Sequence, residues 1–337
     1  MAAVSPAMPR AEGPLVEAFG LTKLYPAGRS LRQALRGERP TVRAVDGIDL
    51  AIDRGDSVGL VGESGSGKTT VGRLLLRLTP ISGGQITYRG DHLDRMDRRR
   101  VKAFRGQAQL VFQNPFDALN PRFSIRRIVA EPLVNLGVPV AEHEARVVET
   151  LRLVGLGDPA RYLDSLPHQL SGGQLQRVVM ARALVVEPEF LVADEPVSML
   201  DVSVRAGILN LLRDLKERLA LTSFTISHDL TLVRYVCART LVMYLGKIVE
   251  EGPTAEVVAR PAHPYTRALI QAVPRPDVDQ SRARLPISGA IGDATNPLSG
   301  CRLRDRCPHA FPRCAEAEPP LVEVAPGHHS ACHLHAA

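Results

Sequence analysis

The chain has 337 residues, 45% hydrophobic and 23% charged, a globular composition with enough chain for a large core and an appendage. It excludes general disorder, a collagen-like repeat and a small disulfide scaffold. The formal net charge is +6, with five Lys against 37 Arg, no Trp, and four of five Cys in the last 37 residues. That basic excess leaves a nucleic-acid partner open until the motifs are read.

No stretch approaches the roughly 20 consecutive apolar residues of a membrane span. The first 13 residues carry one Arg and no continuous apolar core, so no secretory signal is expected. A cytoplasmic protein keeps its thiols reduced, so the clustered Cys point to metal rather than to disulfides.

In chain order, residues 1–14 are Ala/Pro-rich and read as a flexible tail. An apolar segment follows at 15–24. Residues 28–43 carry Arg29, Arg32, Arg36, Arg39 and Arg43 against Glu38, a solvated basic loop of net +4. From 44 to 252, short apolar runs alternate with helical stretches, which argues for an α/β fold. The runs at 57–61 and 190–193 are continuous, as buried parallel strands are. Residues 141–156 and 204–219 have apolar residues at helical spacing. Residues 241–245 and 248–249, split by Gly246, predict a hairpin. Beyond 253, Pro and Gly rise and periodicity fades, which puts a boundary there. There is no internal repeat.

Gly62-Glu63-Ser64-Gly65-Ser66-Gly67-Lys68-Thr69 fits G-x-x-x-x-G-K-S/T in full, after an apolar strand and before a helix expected to reach residue 78. The glycines let backbone N–H groups turn inward on an anion, and the helix N-terminus adds partial positive charge. Lys68 is expected on the β- and γ-phosphates and Thr69 on Mg²⁺, with Thr70 beside them. Residues 190–195 form an apolar strand ending in two carboxylates. Ligands in parallel sheets sit at the C-terminal strand ends. Asp194 is therefore placed to hold Mg²⁺ and Glu195 to act as general base for the attacking water.

A second glycine motif, Leu170-Ser171-Gly172-Gly173-Gln174, precedes a helical stretch over 175–186, with Ser171 as its cap. One nucleotide site does not need two such loops. The second is expected to reach a phosphate bound by another subunit, so that two chains packed head-to-tail sandwich two ATPs and hydrolysis reopens them.

These motifs, in this order, resemble the ATP-binding subunit of an ABC transporter over roughly residues 15–335. The resemblance implies a P-loop ABC-type α/β domain over 15–252, a mixed sheet core with a helical subdomain at about 116–170. It also implies a small Cys-containing C-terminal domain over 253–337. Further site residues follow from it. Gln113 in Val111-Phe112-Gln113-Asn114 looks like the loop glutamine that touches Mg²⁺ and water. His228 in Ile226-Ser227-His228-Asp229 looks like the switch histidine at the γ-phosphate. Asp201 looks like the aspartate that crosses the dimer interface, preceded by Met199 where Ala is usual. Tyr25 looks like the aromatic that stacks on adenine.

The segments 44–47, 114–122, 243–250 and His263-Pro264-Tyr265-Thr266 resemble the oligopeptide/dipeptide importer branch, and its F-type subunit more than its D-type partner. That implies two integral-membrane permease subunits, a second ATPase (a D-type sibling, or a second copy) and, indirectly, an extracytoplasmic binding protein. The place would be the cytoplasmic face of the plasma membrane, with ATP and Mg²⁺ as ligands and no nucleic acid. Importers of nickel, opine or glycoside are the alternative cargo classes. An ABC ATPase acting on nucleic acid would need two cassettes in one chain or a large insertion, and neither is present.

Cys301, Cys307, Cys314 and Cys332 lie in a Pro-rich segment with little core of its own. Four thiolates suit zinc, though its short C-x₂₋₄-C knuckle is absent, and also a 4Fe–4S cluster. The family resemblance favours the cluster. The His at 328, 329, 333 and 335 read as a solvated end. Cys237, in a helical run, reads as core packing.

Overall fold

The computed structural model describes residues 13–27, 40–272 and 297–336, with 287, 289, 292 and 295 between them. The tail at 1–12 and the basic segment at 28–39 lie outside the described residues.

β1 (Val16–Pro26) and β2 (Thr41–Ile52) pair antiparallel. β3 (Ser57–Val61) runs through the glycine-rich loop into α1 (Lys68–Leu75). β4 (Gly83–Tyr88) and β5 (Asp91–His92) return to β1, giving a four-stranded antiparallel sheet in the order β2-β1-β4-β5. α2 (Arg98–Gln107) leads into β6 (Ala108–Val111). Then come α3 (Pro115–Ala118), α4 (Ile125–Leu136), α5 (Val140–Leu153) and α6 (Gly172–Leu184), the last three packed on one another. β7 (Phe190–Asp194), α7 (Val202–Leu219), β8 (Thr222–Ser227), α8 (Leu230–Val236) and β9 (Arg239–Tyr244) follow, and β9 turns back into β10 (Lys247–Pro253).

The larger sheet is mixed. β9, β3, β8, β7 and β6 lie parallel in that order, and all five residues of β3 and of β7 are buried. A parallel sheet covered on both faces requires such continuous apolar runs. One core fills the space between this sheet and the antiparallel one, around Leu21, Ile52, Leu60, Leu74, Phe190 and Phe224. The other lies under the helices, around Ile128, Leu133, Val178, Ile208 and Val233.

Beyond β10 come α9 (Thr254–Ala259), α10 (Pro264–Gln271), α11 (Arg313–Glu316), β11 (Val322–Ala325) and β12 (His328–Ser330). β12 pairs antiparallel with β10 and β11 with β12, so this region is hydrogen-bonded to the edge of the core sheet. A buried carboxylate reinforces the junction. Glu250 is fully buried and accepts from the N–H groups of Ala262 and His263, at 2.7 and 2.9 Å. His328 Nε2 lies 2.7 Å from the same carboxylate. A charge out of water needs such donors.

Three expectations are corrected. The helix after the glycine loop stops at Leu75, because Arg77 turns the chain with a φ of 50°. Arg43 lies in β2 rather than in a loop. The His-rich end is not solvated throughout: His328 and His333 are buried, the first because pairing with β10 presses it onto Glu250. The hairpin at 241–249 forms as β9 and β10, with Gly246 in the turn at a φ of 83°.

Candidate nucleotide site

In the order β3, β8, β7, β6, the C-terminal strand ends set the phosphate loop, His228, the Asp194–Glu195 pair and Gln113 along one edge of the sheet. The loop is built by close approach. Gly67 caps α1 at a φ of 107°, and a Cβ there would fall 2.0 Å from the Ala44 carbonyl oxygen. Lys68 is buried, and its Nζ donates to the carbonyls of Gly62 and Glu63 at 2.8 and 2.9 Å. Burial lowers its pKa, against the attraction of Glu195, Asp194 and Glu63. The Ser66 hydroxyl is buried in the loop with no partner among the described residues. Ser64 and Gly65 form the exposed tip.

Thr69 Oγ1 donates to Asp194 Oδ1 at 3.2 Å. Burial raises the Asp194 pKa, with the Thr69 hydrogen bond opposing it. Two adjacent hard oxygens at the head of a phosphate loop fit Mg²⁺, which takes one or two protein ligands and keeps its other positions for water and phosphate. Thr70 follows, half-buried, in the first turn of α1. Glu195 has a φ of 47°, a left-handed conformation that costs a non-glycine residue about 1–3 kcal/mol. Its N–H donates to Ile226 O at 2.9 Å, and its Oε2 lies 2.7 Å from His228 Nδ1. Gln113 is exposed just past β6. Tyr25, half-buried, pairs with Val42, two residues before the Ala44 that abuts Gly67.

The second glycine motif stands apart from these groups. The Ser171 hydroxyl accepts from Gln174 N–H and the Gln174 side chain accepts from Ser171 N–H, a capping box for α6. Gln174 Nε2 reaches the Tyr162 hydroxyl at 3.4 Å. A Cβ on Gly173 would fall 2.5 Å from Val204, so glycine lets α7 approach, and Gly172 faces Leu200. Asp201 caps α7 by accepting from Val204 N–H and Ser203 Oγ, which holds its carboxyl below the usual range. Ser171, Gly172, Met199 and Asp201 are all exposed, and together they form one surface.

Tyr265 and Arg306 reach the phosphate loop at Glu63, which no spacing in the sequence indicates. A groove of about 1200 Å³ opens between α2, β6 and α4, with apolar Leu78, Phe112 and Leu136 and basic Arg98, Lys102 and Arg105 in its lining.

The four tail cysteines line one small cavity of about 10 Å³ with His263, His309 and His333. All are free thiols. Burial pushes Cys301 up to about 11, and the neighbouring thiols add to the shift. Among the described residues, however, no three His, Cys, Asp or Glu side chains are arranged to hold a metal ion. The expected cluster or zinc therefore has its donors gathered in one cavity without a formed coordination shell.

The geometry is that of an ATP-binding cassette, and the comparisons agree. The family described as ABC transporter matches residues 45–198. A bacterial ABC transporter cassette solved as a dimer is 27% identical, with a TM-score of 0.61 over 71% of this chain and 98% of its own. The cbiO1 protein of Clostridium perfringens, part of the ABC transporter complex cbiONQ, is 28% identical, with a TM-score of 0.63 over 74% of this chain and 92% of its own. The protein is thus an ABC-type ATPase.

Its branch follows from the rest of the chain. The family described as oligopeptide/dipeptide transporter, C-terminal region, matches residues 249–314. A Brucella ovis protein named for peptide import and ATP binding is 46% identical over 95% of this chain and 98% of its own. The dipeptide transport ATP-binding protein DppF of Escherichia coli is 40% identical over 92% of this chain and 91% of its own. The chain belongs to the ATP-binding subunits of the oligopeptide/dipeptide ABC transporters.

Proposed function

We propose that this chain powers peptide import by binding and hydrolysing ATP in a two-cassette sandwich beneath a membrane permease. The observation that carries the ATPase part is the strand-end edge, where Thr69–Asp194 and Glu195–His228 stand beside the phosphate loop. The peptide part rests on the relatives named for peptide and dipeptide transport.

In this reading Gly62 to Thr70 hold the phosphates, Tyr25 stacks on adenine, and Thr69, Asp194 and Gln113 hold Mg²⁺. The metal neutralises phosphate charge when bound. Glu195 takes a proton from the attacking water, with His228 beside it to orient the carboxylate and meet the γ-phosphate. Ser171 to Gln174 and Asp201, with Ser171, Gly172 and Asp201 exposed on one surface, reach the nucleotide of the opposing cassette, a D-type sibling or a second copy. The groove by Phe112 and Gln113 seats a cytoplasmic helix of the permease. Its lining of apolar and basic side chains suits an amphipathic helix with acidic flanks. Closure is passed on through Gln113, and the chain works at the cytoplasmic face as a peripheral subunit. Among the described residues no helix is long and apolar enough to cross a membrane.

Expressed in its native membrane, the tagged chain copurifies with an integral-membrane partner, and peptide stimulates ATP turnover in the assembled complex. Stimulation by nucleic acid without such a partner overturns the reading. We further propose that Cys301, Cys307, Cys314 and Cys332 take up an iron–sulfur cluster. The support is a shared cavity and four soft donors. Anaerobically purified protein then carries about four irons per chain, whereas zinc, or folded protein free of metal, contradicts it.

A further inference from the structure

Two side chains from outside the phosphate loop close on its second residue, and a third packs on both. Tyr265, in α10, accepts the Glu63 backbone N–H at 2.7 Å. Arg306, in the turn between Cys301 and Cys307, donates to both Glu63 carboxylate oxygens, at 2.9 and 3.1 Å. It also donates to the Tyr244 hydroxyl at 3.3 Å, with its guanidinium 5.7 Å from the centre of that ring. Tyr244 packs on Tyr265 with ring centroids 4.7 Å apart, and both tyrosines are buried. The Arg306–Glu63 pair is mostly shielded, at 11% and 26% side-chain exposure. A bidentate guanidinium–carboxylate pair fixes both position and plane.

The consequence runs through one peptide group. In a trans peptide the N–H and the preceding C=O point opposite ways. With the Glu63 N–H turned onto Tyr265, the Gly62 carbonyl faces the other side, where it accepts from Lys68 Nζ at 2.8 Å. The Glu63 carbonyl accepts from the same ammonium at 2.9 Å. A glycine-rich loop left to itself samples many conformers, and ordering it on binding weakens affinity.

We propose that Tyr265 and Arg306 are positioning residues of the phosphate loop: through Glu63 they set the Gly62–Glu63 peptide plane and so preset Lys68 for the phosphates of ATP. Part of the ATP site's preorganisation then comes from the region beyond β10, which the two arms reach from separate elements. The inference rests on residues 62–69 being the phosphate loop. Binding of Mg·ATP by the wild-type chain checks that reading separately.

The test uses the full chain, Mg²⁺ and a fluorescent N-methylanthraniloyl ATP for affinity, with steady-state ATP turnover alongside. Tyr265→Phe removes one hydroxyl and keeps the ring packing. It and Arg306→Gln each raise Kd and KM about tenfold while kcat stays within about twofold, because preorganisation is lost and the reacting groups are untouched. Arg306→Lys recovers part of the affinity. In a Glu63→Gln background the further loss from Arg306→Gln shrinks to about twofold or less, as coupled neighbours require. Two results overturn the proposal: lower melting temperatures with affinity within about twofold of wild type, or losses at Glu63 and Arg306 that simply add.

Discussion

Glu195 is held by two constraints at once: a left-handed backbone anchored to Ile226 O, and a side chain set 2.7 Å from His228. Strain of that kind persists only where neighbouring structure enforces it, here β7 and β8. The same scale separates working from inert thiols. Cys237 is 6% exposed, and burial pushes its pKa up to about 12. Almost no thiolate exists there near neutral pH, and thiolate is the reactive form. Alkylation of the folded chain at pH 8, after a chelator has stripped any bound metal, read by mass spectrometry, therefore labels half-buried Cys307 well before Cys237. Equal rates contradict the packing role. Lys68, Thr69, Asp194 and Glu195 were legible in the sequence because each motif is contiguous and its chemistry dictates the residue type. The Tyr265 and Arg306 contacts to Glu63 were not, since nothing in positions 63, 265 and 306 marks them as neighbours until β10 and the turns beyond it fold back.

Among the elements, β3, β7 and the β9–β10 hairpin were readable from unbroken apolar runs and a central glycine. β11 and β12 were not. Both are short; β12 is polar and pairs with β10 about eighty residues back, and β11 pairs only with β12. His263 shows what the segments 243–250 and 263–266 do physically. It caps α10 by accepting Tyr265 N–H on Nδ1 at 3.1 Å, and its own N–H goes to Glu250. Burial depresses its pKa to about 3, with His335 adding to the shift. The native state thus stays unprotonated while the unfolded chain takes a proton near pH 6.5. Stability is complete above about pH 6.5 and falls toward pH 3, with a limiting slope of about 1.4 kcal/mol per pH unit from this group. Asparagine also caps helices well. His263→Asn is expected to flatten the melting-temperature profile between about pH 6.5 and 4. An unchanged slope assigns the acid sensitivity elsewhere.

For the whole molecule, the two glycine motifs lie on separate surfaces, which the proposed sandwich joins across two chains. The phosphate loop and its carboxylates share one edge of the sheet, while Ser171 and Gln174 bond to each other, Gln174 reaches Tyr162, and Ser171 and Gly172 stand exposed beside Asp201. In the proposed sandwich such a cassette binds ATP on one surface and offers the second to its neighbour's ATP. The net charge of +6, open to a nucleic-acid reading on composition alone, includes Arg98, Lys102 and Arg105 in the lining of the groove between α2, β6 and α4. The most direct measurement is ATP turnover and nucleotide retention by Glu195→Gln in the assembled complex with Mg²⁺. Removing the base while keeping the shape is expected to cut turnover at least about 100-fold and to leave unhydrolysed ATP trapped in closed cassettes. Near-normal turnover, or cassettes that neither close nor retain ATP, contradicts the account.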